Sequence, residues 1–283
     1  MKLDDLILNQ ISRQQIHNYL KNPTQALLLT GENGLGLGTI AQALAQEIAG
    51  ANIVKIVPRL HKTQTTANIN IDDVRELNEL TRARRVDNLV IVIDEAEKMT
   101  RDTPQALLKL LEEPSTHVYY ILTSHSPERL PATILSRAQE IKVLPPSDED
   151  CEKLFSVESK ITVAKKTQIK FLAASRPAEI YRLNGDEQYF RAVASSVETA
   201  KNFLQSKEFG RLKIVAETNS RDGAITLVKN VAKLLTLTAA KTETKNANRT
   251  AANLQLVSTT LDNLAQNGNA RAQLMNLAIN LET

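Results

Sequence analysis

Tryptophan is absent from this sequence, and cysteine occurs once, at Cys151. The missing tryptophan carries no functional meaning. A lone cysteine excludes an intrachain disulfide framework and any zinc site built from several thiolates, and it fits a reducing compartment. No apolar run approaches the ~20 residues that a membrane-spanning helix needs. No basic-then-apolar leader is seen either, so neither membrane insertion nor secretion is indicated and a cytoplasmic protein is expected. Glycine and proline are scarce, with 9 of each, and the net charge is only +3, too small to imply tight nucleic-acid binding by the chain alone. What is there is the composition of an ordinary folded chain: 42% apolar and 24% charged residues over 283 positions. That is enough to bury a core and to divide into two or three domains.

The first half alternates short apolar runs with helical patterns. This predicts an α/β fold with a parallel sheet covered by helices on both faces. Strands are expected at Ala26–Thr30, Ile53–Val57, Leu89–Ile93, Val118–Thr123 and Glu140–Val143. A helix is expected over Thr39–Ala49, ended by Gly50. Another should start with Thr103 as N-cap and Pro104 at its first position, then stop before Pro114. Pro145-Pro146 marks a boundary, because the dipeptide can neither continue a strand nor sit mid-helix. Beyond it no strand of comparable strength is found, so the rest is read as all-α. The spacing predicts a small three-helix unit over Asp148–Ser156, Val163–Ala174 and Pro177–Leu183. A long helical region follows from about Asp186. There Leu254, Val257, Leu261 and Leu264, and again Leu274, Leu277 and Leu281, form apolar stripes suited to a bundle core or to a neighbouring subunit. Lys241–Asn248 (KTETKNAN) reads as a polar loop between helices. The expected domains are 1–146, 147–186 and 187–283.

Gly31–Thr39 (GENGLGLGT) lies between a strand and a helix. The loop that cradles nucleotide phosphates is written G-x-x-x-x-G-K-S/T: its glycines let backbone N–H groups face the phosphates and its lysine neutralises them. Gly31 and Gly36 keep that spacing, and Gly34 and Gly38 add further glycines. Leu37 stands where the lysine belongs, however, and Gly38 where the Mg²⁺-binding hydroxyl belongs. Thr39 is one residue out of register for the hydroxyl. Downstream, Leu89–Glu95 (LVIVIDE) is a strand ending in two carboxylates. In a nucleotide hydrolase Asp94 would hold Mg²⁺ and Glu95 would orient the attacking water; otherwise the two acids cap the following helix. Further on, a strand ends in Thr123-Ser124-His125-Ser126, and a short helical segment presents Ser136-Arg137.

In order, Gly31–Thr39, IDDVREL, VIVIDEAEK, QALLKLLEEP, LTSHSPER and LPATILSRA resemble the clamp-loader branch of the AAA+ ATPases, and within it the delta-prime family of bacterial DNA polymerase III. The likeness is dense from Ala26 to Val143. It continues through a lid-like segment with SRPAEIYRL and fades into architecture alone in the C-terminal helices. The resemblance implies an AAA+ P-loop-like sheet domain, a helical lid and a helical collar that mediates oligomerisation. It implies a heteropentamer with gamma/tau-like ATPase subunits and a delta-like subunit, which opens a sliding clamp and closes it around primer-template DNA.

In that family each ATP sits at a subunit interface, and an arginine from a Ser-Arg-Cys motif completes the neighbour's site. Here the motif is Ser136-Arg137-Ala138. Arg137 is retained, so its charge is expected to be on offer in trans. Arg176 falls where a lid arginine would contact nucleotide, and His125 where a polar residue would sense the γ-phosphate. Gly31, Gly34, Gly36, Leu37, Gly38, Thr39, Asp94, Glu95, His125 and Arg176 together make a degenerate nucleotide site. No cofactor is expected, although residual ATP or ADP binding is left open. Many relatives carry a four-cysteine zinc module, but Ala51–Asn70 contains no cysteine, so zinc is not expected.

Losing lysine and hydroxyl together should abolish hydrolysis, because phosphoryl transfer depends almost wholly on positioning and electrostatics. The expected role is therefore an ATPase-inactive stator that lends Arg137 to a neighbour. The alternatives are an active gamma/tau-type ATPase subunit, or an AAA+ adaptor that holds nucleotide without turnover. Arg82, Arg84, Arg85, Lys98 and Arg101 are candidates for contact with a DNA backbone, against the commoner explanation of a solvated charged face.

Overall fold

In the computed structural model, residues 2–61, 66–82, 86–156, 161–239, 247–266 and 268–282 are described. Five parallel strands form one sheet in the order β2-β3-β4-β1-β5. They are β1 (Ala26–Thr30), β2 (Ile53–Ile56), β3 (Leu89–Ile93), β4 (Val118–Ser124) and β5 (Gln139–Lys142). β1 and β3 are buried along their whole length, as the near-continuous Leu, Ile and Val runs of a sheet covered on both faces require.

Alternate residues feed two separate cores. Leu27, Leu29, Val90, Val92 and Ile121 pack with α1 (Gln10–Lys21) and α2 (Leu37–Ala49) on one face. Leu28, Leu89, Ile91, Tyr120 and Leu122 pack on the other face with α3 (Ile71–Arg82), α4 (Thr103–Glu112) and the short α5 (Ala132–Leu135). The expected sheet with helices on both faces is what the chain forms.

Strand and helix ends differ from the sequence reading by a residue or two. β5 starts and stops one residue early because its ladder is set by β1, with Gln139 opposite Leu27 and Lys142 opposite Thr30. α2 begins at Leu37 rather than Thr39, since the Thr39 and Ile40 N–H groups already donate to the Gly36 carbonyl. Gly50 closes it as expected. The N-cap expectation for Thr103 is overturned: Asp102 holds that place, Thr103 is the first helical residue and Pro104 the second. The Thr103 hydroxyl is instead drawn into tertiary bonding, donating to the Ile69 carbonyl at 3.1 Å and meeting the Thr100 hydroxyl at 2.7 Å.

By the distribution of its contacts the chain forms two compact units, Met1–Gly185 and Asp186–Thr283. The first also contains α6 (Asp148–Ser156), α7 (Val163–Ala173) and α8 (Pro177–Gly185). They share buried Cys151, Phe155, Ile169, Leu172, Ile180 and Leu183. The second is helical in its described residues: α9 (Glu187–Gln205), α10 (Glu208–Glu217), α11 (Arg221–Ala239), α12 (Ala247–Ala265) and α13 (Ala270–Asn280).

The apolar stripes of that second unit turn inward. Val257, Leu264, Leu274, Leu277 and Leu281 are buried in one core, with Leu254 and Leu261 half-buried against it. Of the expected loop Lys241–Asn248, residues 241–246 lie outside the described residues, and α12 starts at Ala247. Among the described residues, no helix is long and apolar enough to cross a membrane.

Candidate functional site

The site lies at the C-terminal ends of β1, β3 and β4, where parallel sheets gather their ligands. After β1 the chain turns through Gly31–Gly36 into α2. Gly36, at φ +86°, takes the left-handed conformation that lets helix follow loop without a Cβ penalty. Leu35 and Leu37 flank it and are both buried, Leu37 to 1% exposure, in the core beneath α2. The side chain at the lysine position thus fastens the loop from below and carries no charge.

Gly38 leaves room for a carboxylate. A Cβ at this position would lie 2.5 Å from Asp94 Oδ2. Both oxygens of Asp94 are engaged within the chain: Oδ1 accepts from the Thr123 hydroxyl at 2.7 Å, and Oδ2 faces Lys55 Nζ at 3.1 Å. Thr123, on β4, also accepts the Glu95 N–H at 2.9 Å, so one hydroxyl ties the end of β3 to its neighbour. Glu95 itself sits in left-handed backbone at φ 53° and is ion-paired with Lys98. The two acids expected to hold a metal and a water are therefore each matched with a lysine of the same chain.

His125 binds both sides of the cleft. Its N–H donates to Glu97 Oε1 at 3.1 Å, and its ring Nδ1 lies 3.0 Å from the Gly31 carbonyl. Because a carbonyl can only accept, Nδ1 carries the proton. The space above the loop is a cleft of about 270 Å³ lined by Gly36, Gly38, Lys55, Asp94, His125 and Arg182, among others. Thr39 reaches both this cleft and an apolar one of about 320 Å³, which Leu6, Leu8, Leu35, Ile40 and Tyr181 help to line. Among the described residues no group of three or more His, Cys, Asp and Glu side chains is gathered as a metal ion would require.

Arg176 is not among the residues lining either cleft. It donates to the Asn33 carbonyl at 3.1 Å and to the Ala173 and Leu172 carbonyls at 2.7 and 3.2 Å, fastening the end of α7 to the loop. Gly34 receives the start of α8 closely: its carbonyl accepts the Glu179 N–H at 3.2 Å. Arg182, on α8, is the arginine that lines the cleft.

Arg137 stands apart from both clefts, in the turn after α5. Its charge is not simply on offer, because Nη2 pairs with Glu112 Oε1 at 2.7 Å. Nη1 meets the Thr133 carbonyl at 3.0 Å and Ser136 Oγ at 3.4 Å. Of the basic candidates for a DNA contact, Lys98 is engaged by Glu95, and Arg101 is exposed. The Arg82 side chain, Arg84 and Arg85 lie outside the described residues.

Lys55, Glu112, Arg182 and the Leu6–Leu8 segment were missed from sequence. Lys55 left one signal, a lysine inside the strand IVKI; Glu112 and Arg182 lie inside the quoted runs QALLKLLEEP and SRPAEIYRL, but nothing local singled them out, because their partners are distant in the chain.

Residues 6–147 match the family described as DNA polymerase III, delta subunit. The chain is 29% identical over 199 residues to the DNA polymerase III subunit delta' of Haemophilus influenzae, covering 64% of this chain and 58% of that protein. It is 30% identical over 149 residues to the tau subunit of Escherichia coli, covering 46% of this chain and 22% of that protein. It thus spans little more than half the length of the first relative and much less of the second. In fold it is similar to a DNA polymerase III gamma subunit-related protein of Thermotoga maritima, at 16% identity and a TM-score of 0.56, covering 93% of this chain and 97% of that one.

Proposed function

The chain belongs to the family described as DNA polymerase III, delta subunit, and from that premise we propose that it is a clamp-loader subunit that hydrolyses no ATP itself. It lends Arg137 to the ATP site of an adjoining gamma/tau-like subunit, within a heteropentamer that also holds a delta-like subunit. Through that complex it serves the sliding clamp and primer-template DNA.

The observation that carries this reading is the neutralised site. Leu37 is buried in the core, Gly38 offers no hydroxyl, and Asp94 and Glu95 are paired with Lys55 and Lys98. A triphosphate with Mg²⁺ would need a free cation in the loop and a free carboxylate beside it. Backbone N–H groups at the start of α2 offset only part of such a charge. Arg137 depends on none of these groups. Supplied in trans, an arginine is worth ~10³–10⁵ in rate to the site it completes.

The test is ATP turnover by the chain alone, by its ATPase partner alone, and by their mixture with clamp and primed DNA. The chain alone should be inactive, the mixture active, and Arg137→Ala should depress the mixture sharply without preventing assembly. A normal rate with Arg137→Ala removes the in-trans role, and turnover by the isolated chain removes the whole reading. The apolar cleft beside the loop favours a second reading, a module that holds nucleotide without turnover. Tight binding of ATP to the isolated chain in equilibrium dialysis would select it.

A further inference from the structure

We propose that Glu112 is a positioning residue for Arg137, fixing the guanidinium in the orientation in which it meets a neighbouring subunit's ATP; this rests on the in-trans reading of Arg137 above. Arg137 follows a helix of only four residues, Ala132–Leu135. A long side chain on so short a support would sweep many rotamers, and phosphoryl transfer depends on placing charge accurately. Two of its three contacts, to the Thr133 carbonyl and Ser136 Oγ, come from its own turn and move with it. Among the described residues only Glu112 holds it from elsewhere, at 2.7 Å.

Glu112 is well supported for this task. It is the last residue of α4, whose Leu107, Leu110 and Leu111 are buried against the sheet. The carboxylate thus refers the guanidinium to the rigid part of the fold. A guanidinium has five N–H donors. Among the described residues its hydrogen bonds, to Thr133 and Ser136, come from Nη1 alone, while Nη2 is held by charge to Glu112, which leaves donors for a phosphate oxygen. The pair is partly exposed, 36% for Arg137 and 48% for Glu112. A pair of this kind contributes little to stability, so its loss should register in rate rather than in folding.

The experiment reconstitutes the clamp loader with its ATPase subunits, clamp and primed DNA, and measures kcat and KM for ATP. Native chain, Glu112→Ala, Glu112→Gln, Arg137→Ala and the double variant Glu112→Ala/Arg137→Ala are compared, with assembly followed by size-exclusion chromatography. Glu112→Ala should lower kcat about three- to tenfold, the range set by the rotamer freedom that an arginine regains, with KM and assembly unchanged. Glu112→Gln, which keeps an acceptor oxygen, should recover part of the loss. The double variant should equal Arg137→Ala alone. A native kcat for Glu112→Ala beside a deficient Arg137→Ala overturns the positioning role and leaves the in-trans reading standing. A double variant well below Arg137→Ala overturns it too, since Glu112 would then act elsewhere. A native kcat for Arg137→Ala removes both.

Discussion

Alanine at Gly38 should destabilise this protein, although alanine is normally the better helix residue. Gly38 is the second residue of α2, and replacing a helical glycine with alanine ordinarily gains ~1 kcal/mol. Here the added methyl would lie 2.5 Å from Asp94 Oδ2 and 2.8 Å from Oδ1. Asp94 must swing away and give up the Thr123 hydroxyl at 2.7 Å, a charged hydrogen bond worth about 1.5–3 kcal/mol. It also loses Lys55 at 3.1 Å, a pair discounted to about 0–1 kcal/mol because the lysine is 38% exposed.

The balance is a net loss of about 0.5–3 kcal/mol for Gly38→Ala. With Asp94→Ala already in place the obstruction is gone, and the same change should stabilise by about 1 kcal/mol. Urea unfolding followed by far-ultraviolet circular dichroism on the four members of this cycle gives the midpoints directly. The reasoning fails if Gly38→Ala is stabilising in the native background, or if its sign does not reverse when Asp94 is removed.

Two other buried groups make further predictions. Arg211 is 2% exposed, and its guanidinium donates to the Phe203, Ala278 and Leu281 carbonyls at 3.2, 3.3 and 2.6 Å. Arg211→Met keeps much of the bulk but orphans those acceptors, and should cost about 2–4 kcal/mol in a urea titration; a loss below about 0.5 kcal/mol would contradict it. Burial pushes the Cys151 thiol up to about 11 from its ordinary value of 9.0. Its alkylation at pH 8 should therefore run about a hundredfold slower than that of the urea-unfolded chain. Between pH 9 and 11 the unfolded chain releases this proton and the folded chain keeps it, so Cys151 makes stability fall as pH rises through that window. Cys151→Ala should flatten the fall, and an unchanged slope would refute the assignment.

Much of the fold was legible because its signals are local. LLLT and LVIVI announce buried parallel strands by composition alone, and Gly50 ends α2 by its own backbone freedom. The departures arise where distant residues take over. β5 is phased by its ladder with β1, and Thr103 is claimed by the Ile69 carbonyl rather than by its helix. The site was legible in the same uneven way. The loop, the two acids and His125 do converge on one cleft, whereas Arg176 is spent on backbone carbonyls and Arg182 reaches the cleft instead.

The sequence by itself determined which side chains stand at the phosphate-loop positions: leucine for lysine and glycine for hydroxyl are chemical facts that no folding can reverse. Only the tertiary structure decided what became of the charges left behind. Lys55 reaches Asp94 from the neighbouring strand β2, and Glu112 reaches Arg137 from another helix. Ion pairs form between groups that packing brings to within a few ångströms. That proximity is set by how the sheet and its helices are stacked, and it leaves no trace in the order of the residues.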